Sequence, residues 1–125
     1  MILVLNAGSS SLKVAAYRNG RLELRGGIDR SKRGTGLPRL WLRDATGREL
    51  PFSKPRNTDD SSAIGEVVDV LRSRLPACAI AAVGHRVVHG GDRFTRPILV
   101  TPEVLSELEI LVPLAPMHQA QNLAG

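Results

Sequence analysis

Residues 12–28, LKVAAYRNGRLELRGGI, constrain this chain more than any other stretch. Two runs rich in leucine and valine flank Asn19-Gly20, the pair favoured in a two-residue hairpin turn because both central residues need positive φ. Leu22 and Leu24 alternate with Arg21, Glu23 and Arg25, so one face of the second run is apolar and the other charged. A hairpin cannot bury such a face alone; it needs a third strand or a helix. Met1 to Leu5, MILVL, has the length and content of a strand buried on both faces, and NAGSSS then turns it into the hairpin. A three-stranded meander is therefore expected to open the domain.

Further along, DRSKRGTGLP (29–38) reads as a polar loop, and RLWLRDATGRELPF (39–52) as a second hairpin around DATG. After another loop, Thr58 is the expected N-cap of a helix with Asp59 and Asp60 in its first turn, where the helix dipole favours negative charge. Ile64, Val67, Val68, Leu71 and Leu75 recur at helical spacing, and Pro76 ends the run. ACAIAAVGHRVV (77–88) follows as a strand with Cys78 in the core. Thr101 and Pro102 open a second helix whose face is Val104, Leu105, Leu108 and Leu111, and a third helix is expected from about His118. The order β-β-β, excursion, α, β, α predicts a mixed sheet with helices, in the α/β class.

Composition narrows the function classes. One cysteine excludes an internal disulfide and fits a reducing, cytoplasmic setting. No apolar run approaches the roughly 18 residues of a membrane span, so a soluble protein is expected. The net charge is +5, and ten of the seventeen basic residues fall between Arg21 and Arg56, against four acids. That could be a footprint for a polyanion. Yet the aromatics there, Trp41 and Phe52, sit among alternating apolar residues, where a core role is expected before base stacking.

Two segments carry chemistry. In GHRVVHGG (84–91), strand alternation would put Val83, His85, Val87 and His89 on one face, and Gly84, Arg86, Val88 and Gly90 on the other. A guanidinium beside a glycine and a valine suits a small carboxylate with an apolar tail, since its fork meets both oxygens. An ion pair between Arg86 and an internal Asp or Glu fits the spacing as well. His85 and His89 would lie about 13 Å apart on a strand, too far to share one metal; each is a hydrogen-bonding cleft wall or a satisfied core residue. In NAGSSSLK (6–13), Gly8 opens backbone shapes closed to other residues, and successive amides and serine hydroxyls can point at one anion, with Lys13 adding charge. Taken alone, this segment reads first as a plain serine-rich hairpin.

Together, NAGSSSLK, GHRVVHGG and PLAPMHQAQN (113–122) resemble, in order and spacing, signature segments of the acetate kinases. The resemblance implies a ribonuclease H-like fold shared with sugar kinases, Hsp70 and actin, with residues 1–125 as an incomplete N-terminal domain, an excursion at 28–57, and a second, nucleotide-binding domain absent. It implies transfer of the ATP γ-phosphoryl group to acetate, or to another short-chain carboxylate, with Mg²⁺. Carried over, Asn6 sits at the metal and phosphate site, and Ser9, Ser11 and Lys13 at the nucleotide phosphates. Arg86 holds the carboxylate, Val88 and Met117 line the methyl pocket, and His118 lies nearby. The family also implies homodimers, and no nucleic-acid or membrane partner. MHQAQN departs from the family's His-Asn-Pro pattern, which can loosen the turn. No catalytic aspartate of the family pattern falls within these residues, so the isolated chain is expected to be inactive. A non-catalytic anion-binding module and a basic nucleic-acid-binding domain are the alternatives.

Overall fold

The computed structural model describes residues 1–8, 10–30, 39–51, 60–74 and 79–124, and among these the backbone alone of 60–63, 66, 67, 74, 121 and 124. Its five strands form one sheet: β1 (Ile2–Gly8), β2 (Ser11–Arg18), β3 (Arg21–Asp29), β4 (Arg39–Asp44) and β5 (Ala82–His85), in the order β4-β3-β2-β1-β5. The first four are antiparallel neighbours, while β5 returns parallel to β1. Helix α1 (Asp60–Arg74) lies between β4 and β5 in sequence, and α2 (Pro102–Ile110), a 3₁₀ turn (Val112–Leu114) and α3 (Pro116–Ala124) follow. This mixed α/β sheet fits an incomplete ribonuclease H-like domain.

The expected meander is present, and its central turn forms for the expected reason. Asn19 and Gly20 have φ of 51° and 76°, and Arg18 pairs with Arg21 across them. A register shift at Ala16/Tyr17 leaves Glu23 unopposed on β3, where it bonds Arg18 at 2.7 Å. The hairpin at DATG also forms. Asp44 accepts from the backbone N–H groups of Thr46 and Arg48 and from the Thr46 hydroxyl, and Leu50 returns to bond Leu42.

The core occupies one side of the sheet. Leu3, Leu5, Val14, Ala16, Leu24 and Leu42 gather with Leu50 and with Val70 and Leu71 of α1, and Ala7, Leu12 and Ile28 form a smaller cluster beside Ile64. The expectation that MILVL is buried on both faces is corrected. Ile2 and Val4 are 50% and 42% exposed while Leu3 and Leu5 are buried, because α1 packs on the face that carries Leu3 and Leu5. Val70, which the helical spacing did not single out, is part of that core. The expectations for Thr58, Asp59, Leu75, Pro76 and Cys78 lie outside the described residues, as does Phe52.

Helix α2 starts as expected: the Thr101 side chain accepts from the Val104 amide at 3.3 Å, Pro102 occupies the first turn, and Leu108 is buried. Helix α3 starts two residues earlier than expected, at Pro116, a residue pre-shaped for a first helical position. Among the described residues no helix is long and apolar enough to cross a membrane.

Candidate functional site

The parallel pairing of β1 with β5 sends the carboxyl ends of both strands to one edge of the sheet, where ligands of open α/β sheets gather. From β1 emerges the turn at 6–13, and from β5 the segment that carries Arg86. Asn6 and Lys13 are cross-strand partners, so their side chains share a sheet face; Asn6 is half-buried and Lys13 exposed. The Arg86 amide donates to the Leu5 carbonyl at 3.1 Å, which sets Arg86 next to Asn6. Across three adjacent segments the backbone therefore lines up Lys13, Asn6 and Arg86. Among the described residues no carboxylate lies within ion-pair distance of Arg86.

Gly8 pairs directly with Ser11, which is half-buried, leaving a two-residue loop of which Ser10 is exposed and Ser9 lies outside the described residues. Gly8 does not adopt positive φ, which corrects the expectation of a special backbone shape there; a methyl group would meet only the Ser11 carbonyl, at an ordinary 3.5 Å.

The strand expected over 77–88 is shorter than expected and ends at His85. Alternation therefore does not place Arg86 and Val88 on one sheet face, and the reading of two opposed faces through Gly90 is corrected. The cause is α3. Asn122, 4% exposed, donates through Nδ2 to the Ala7 carbonyl and accepts through Oδ1 from the Val88 amide at 2.9 Å. Gln119, fully buried, accepts from the His89 amide at 3.2 Å and donates to the His89 and Leu108 carbonyls at 2.9 and 3.3 Å. The segment after β5 is thus held by helix side chains instead of by a neighbouring strand.

Both histidines of the segment are hydrogen-bonded parts of this arrangement. The His85 ring sits between two carbonyls, Leu5 at 3.3 Å from Nδ1 and Asn122 at 2.6 Å from Nε2, and the shorter contact puts a proton on Nε2. His89 Nδ1 accepts from the Gly91 amide at 2.9 Å. Each glycine that ends the segment has its own cause: a methyl group on Gly90 would lie 2.2 Å from the Phe94 carbonyl, and Gly91 has φ of 59°.

The remaining candidates lie less close together. Val88 is 38% exposed and Met117 71%, and His118 is exposed on α3, one turn before the buried Asn122. Among the described residues no hydrogen bond or ion pair joins Met117 or His118 to Arg86. Gln119 and Asn122, which anchor this segment, were not singled out from sequence; their signal was a pair of amides one helical turn apart in a segment with few apolar residues to bury. In the basic stretch, Trp41 is half-buried with the Arg43 guanidinium 5.9 Å from its ring centroid, a contact that occupies its π-face.

Comparison with known proteins gives this arrangement a context. The sequence profile described as the Acetokinase family matches residues 1–125. An acetate kinase of Deinococcus radiodurans is 44% identical over 98% of this chain and 30% of its own length. Among solved structures, a Porphyromonas gingivalis acetate kinase superposes with a TM-score of 0.78 at 35% identity, and a Francisella tularensis propionate kinase with 0.81 at 27%; each match covers 99% of this chain and 32% of the other. The chain thus spans about a third of the length of these relatives. With a profile matching from the first residue to the last and a sheet that superposes on two carboxylate kinases, this chain belongs to the acetokinase family.

Proposed function

We propose that this chain supplies the carboxylate grip and part of the phosphate site of an acetate kinase, which transfers the γ-phosphoryl group of ATP to acetate or a similar short-chain acid. The observation that carries the proposal is the row Lys13, Asn6, Arg86: two cations flanking an amide at the carboxyl ends of parallel strands, with no described carboxylate neutralising Arg86. Phosphoryl transfer asks a protein mainly to align two anions and to offset their charge. Arg86 would hold the carboxylate by its paired N–H groups, with Val88 and Met117 beside the acid's short apolar tail and His118 nearby. Lys13, Ser9 and Ser11 would face the phosphates.

The residues fit a magnesium nucleotide in a limited way. Asn6 offers one neutral oxygen donor, and no group of three or more His, Cys, Asp or Glu side chains among the described residues could hold a metal alone. Mg²⁺ commonly takes its other ligands from phosphates and water, so Asn6 would meet an ion that arrives with ATP. Bound there, the ion supplies charge neutralisation on the transferring phosphoryl group. Because the chain spans about a third of its relatives' length, the nucleotide-binding domain and the remaining catalytic groups would come from sequence beyond residues 1–125.

The test joins this chain to the remaining two-thirds of the Deinococcus radiodurans acetate kinase and measures acetyl phosphate trapped by hydroxylamine. Arg86→Ala should raise the KM for acetate by at least about tenfold and depress kcat, as expected on losing a charge-assisted, bidentate contact. Unchanged values of both would remove Arg86 from the site and the proposal with it.

A further inference from the structure

The edge between β1 and β5 contains an irregularity that the proposed reaction can use. Hydrogen bonds of a parallel ladder are evenly spaced, recurring every second residue. The Arg86 amide donates to the Leu5 carbonyl, so in a continuing ladder the next bond in the same direction would run from the Val88 amide to the Ala7 carbonyl. That bond is not made. Its donor goes to Asn122 Oδ1 and its acceptor receives Asn122 Nδ2. One primary amide stands where a direct bond would be, with both of its ends matched and the residue buried. The amide's width separates the two strand ends where β1 leads into the turn at 6–13 and β5 into Arg86 and Val88. The Asn122 carbonyl also accepts from His85 Nε2, which ties the same residue to β5.

We propose that Asn122 is a positioning residue that sets the separation between the phosphate end and the carboxylate end of the site by inserting its side-chain amide between Ala7 and Val88. This rests on the carboxylate-kinase reading above. An uncharged amide of this length meets both demands: an ionised aspartate has no donor for the Ala7 carbonyl, and alanine or leucine has neither donor nor acceptor. Gln119 provides the control. It is as deeply buried, holds the same segment at His89, and makes no hydrogen bond to a described residue of β1. Reacting groups displaced by about 1 Å can lose about 10²-fold in rate. Loss of the Asn122 bridge should therefore act on the chemical step, whereas loss of Gln119 should act on stability.

In the joined protein, Asn122→Asp and Asn122→Ala should lower kcat, normalised to folded protein, by about 10²-fold. The KM for acetate should stay within about threefold, since Arg86 and Val88 still grip the acid. Gln119→Ala should lower the melting temperature yet keep normalised kcat within about fivefold. Wild-type kcat in a folded Asn122 variant, or a loss no larger than that of Gln119→Ala, would overturn the proposal. If the unsubstituted joined protein forms no acetyl phosphate, the functional reading fails, and the bridge is then judged separately by amide hydrogen exchange on the 125-residue chain. The same measurement decides if the Asn122 variants do not fold. A Val88 amide protected in the unsubstituted chain supports the bridge. One that exchanges at the rate of an exposed amide refutes it.

Discussion

The first 50 residues and the segment from Arg86 to Val100 hold their shape in opposite ways. In the first, each strand has a neighbour close in sequence, a hairpin turn with matching residues, and an apolar face packed under α1. In the second there is no ladder: Leu99 is 85% exposed and Val100 56%, and the residues nearest the site are fixed by two buried amides from α3, 30 or more positions away in sequence. The difference shows how one chain can build a platform from local pairing and hang the segment proposed to grip the carboxylate on a few directional bonds. Hydrophobic burial is non-directional and tolerant. A hydrogen bond to a chosen backbone group fixes position.

The largest expected effect tests the platform. Leu71, 1% exposed at the meeting of α1 and the sheet, should lose about 2–5 kcal/mol on conversion to alanine. Chemical denaturation should then show cooperative unfolding of the whole meander at much lower denaturant; a midpoint that hardly moves would mean that α1 does not hold the sheet. Next comes the polar anchorage. Gln119→Leu strands the His89 amide and two carbonyls, and should cost about 1–3 kcal/mol. Hydrogen exchange should quicken first at residues 86–91 with the amides of β2 unchanged; equal acceleration in both regions would erase the distinction.

A smaller effect is expected at Thr101→Ala, which removes the side-chain cap of α2 and should cost about 1 kcal/mol, read from thermal melts. The smallest lies in the second hairpin of the platform. The Thr46 hydroxyl, aided by the Arg48 and Thr46 amides, holds the exposed Asp44 carboxyl below its ordinary 3.8 against a weaker upward push from burial. Since the folded value is depressed, this contribution is fully present above 3.8 and is lost as pH falls through the lower folded value. Asp44→Asn should remove that part of the acid dependence of the melting temperature; identical acid profiles for the two proteins would assign the turn's stability to its backbone alone.

Much of this was legible beforehand, and the reason is local. Asn19-Gly20 names its turn because only residues that accept positive φ fit there, and Thr101-Pro102 names a helix start because cap and first turn are contiguous in sequence. The family segments marked Asn6, Lys13 and Arg86, and the backbone sets these three in adjacent segments at one edge. Three readings went differently. MILVL looked buried on both faces because an apolar run does not reveal how many faces are covered. The glycine of NAGSSS suggested unusual backbone geometry that the turn does not use. ACAIAAVGHRVV looked like one long strand because periodicity does not show where a partner strand ceases to be available.

By itself the sequence determined the meander, its Asn19-Gly20 turn, the start of α2 and the residue types suited to an anion, since each depends on neighbours a few positions apart. Only the tertiary structure decided that β5 stops at His85, that Arg86 stands beside Asn6, and that Gln119 and Asn122 take over from the ladder. Those outcomes depend on which donor reaches which carbonyl across more than a hundred residues of chain, as between Ala7 and Asn122. No periodicity within a segment encodes such a pairing.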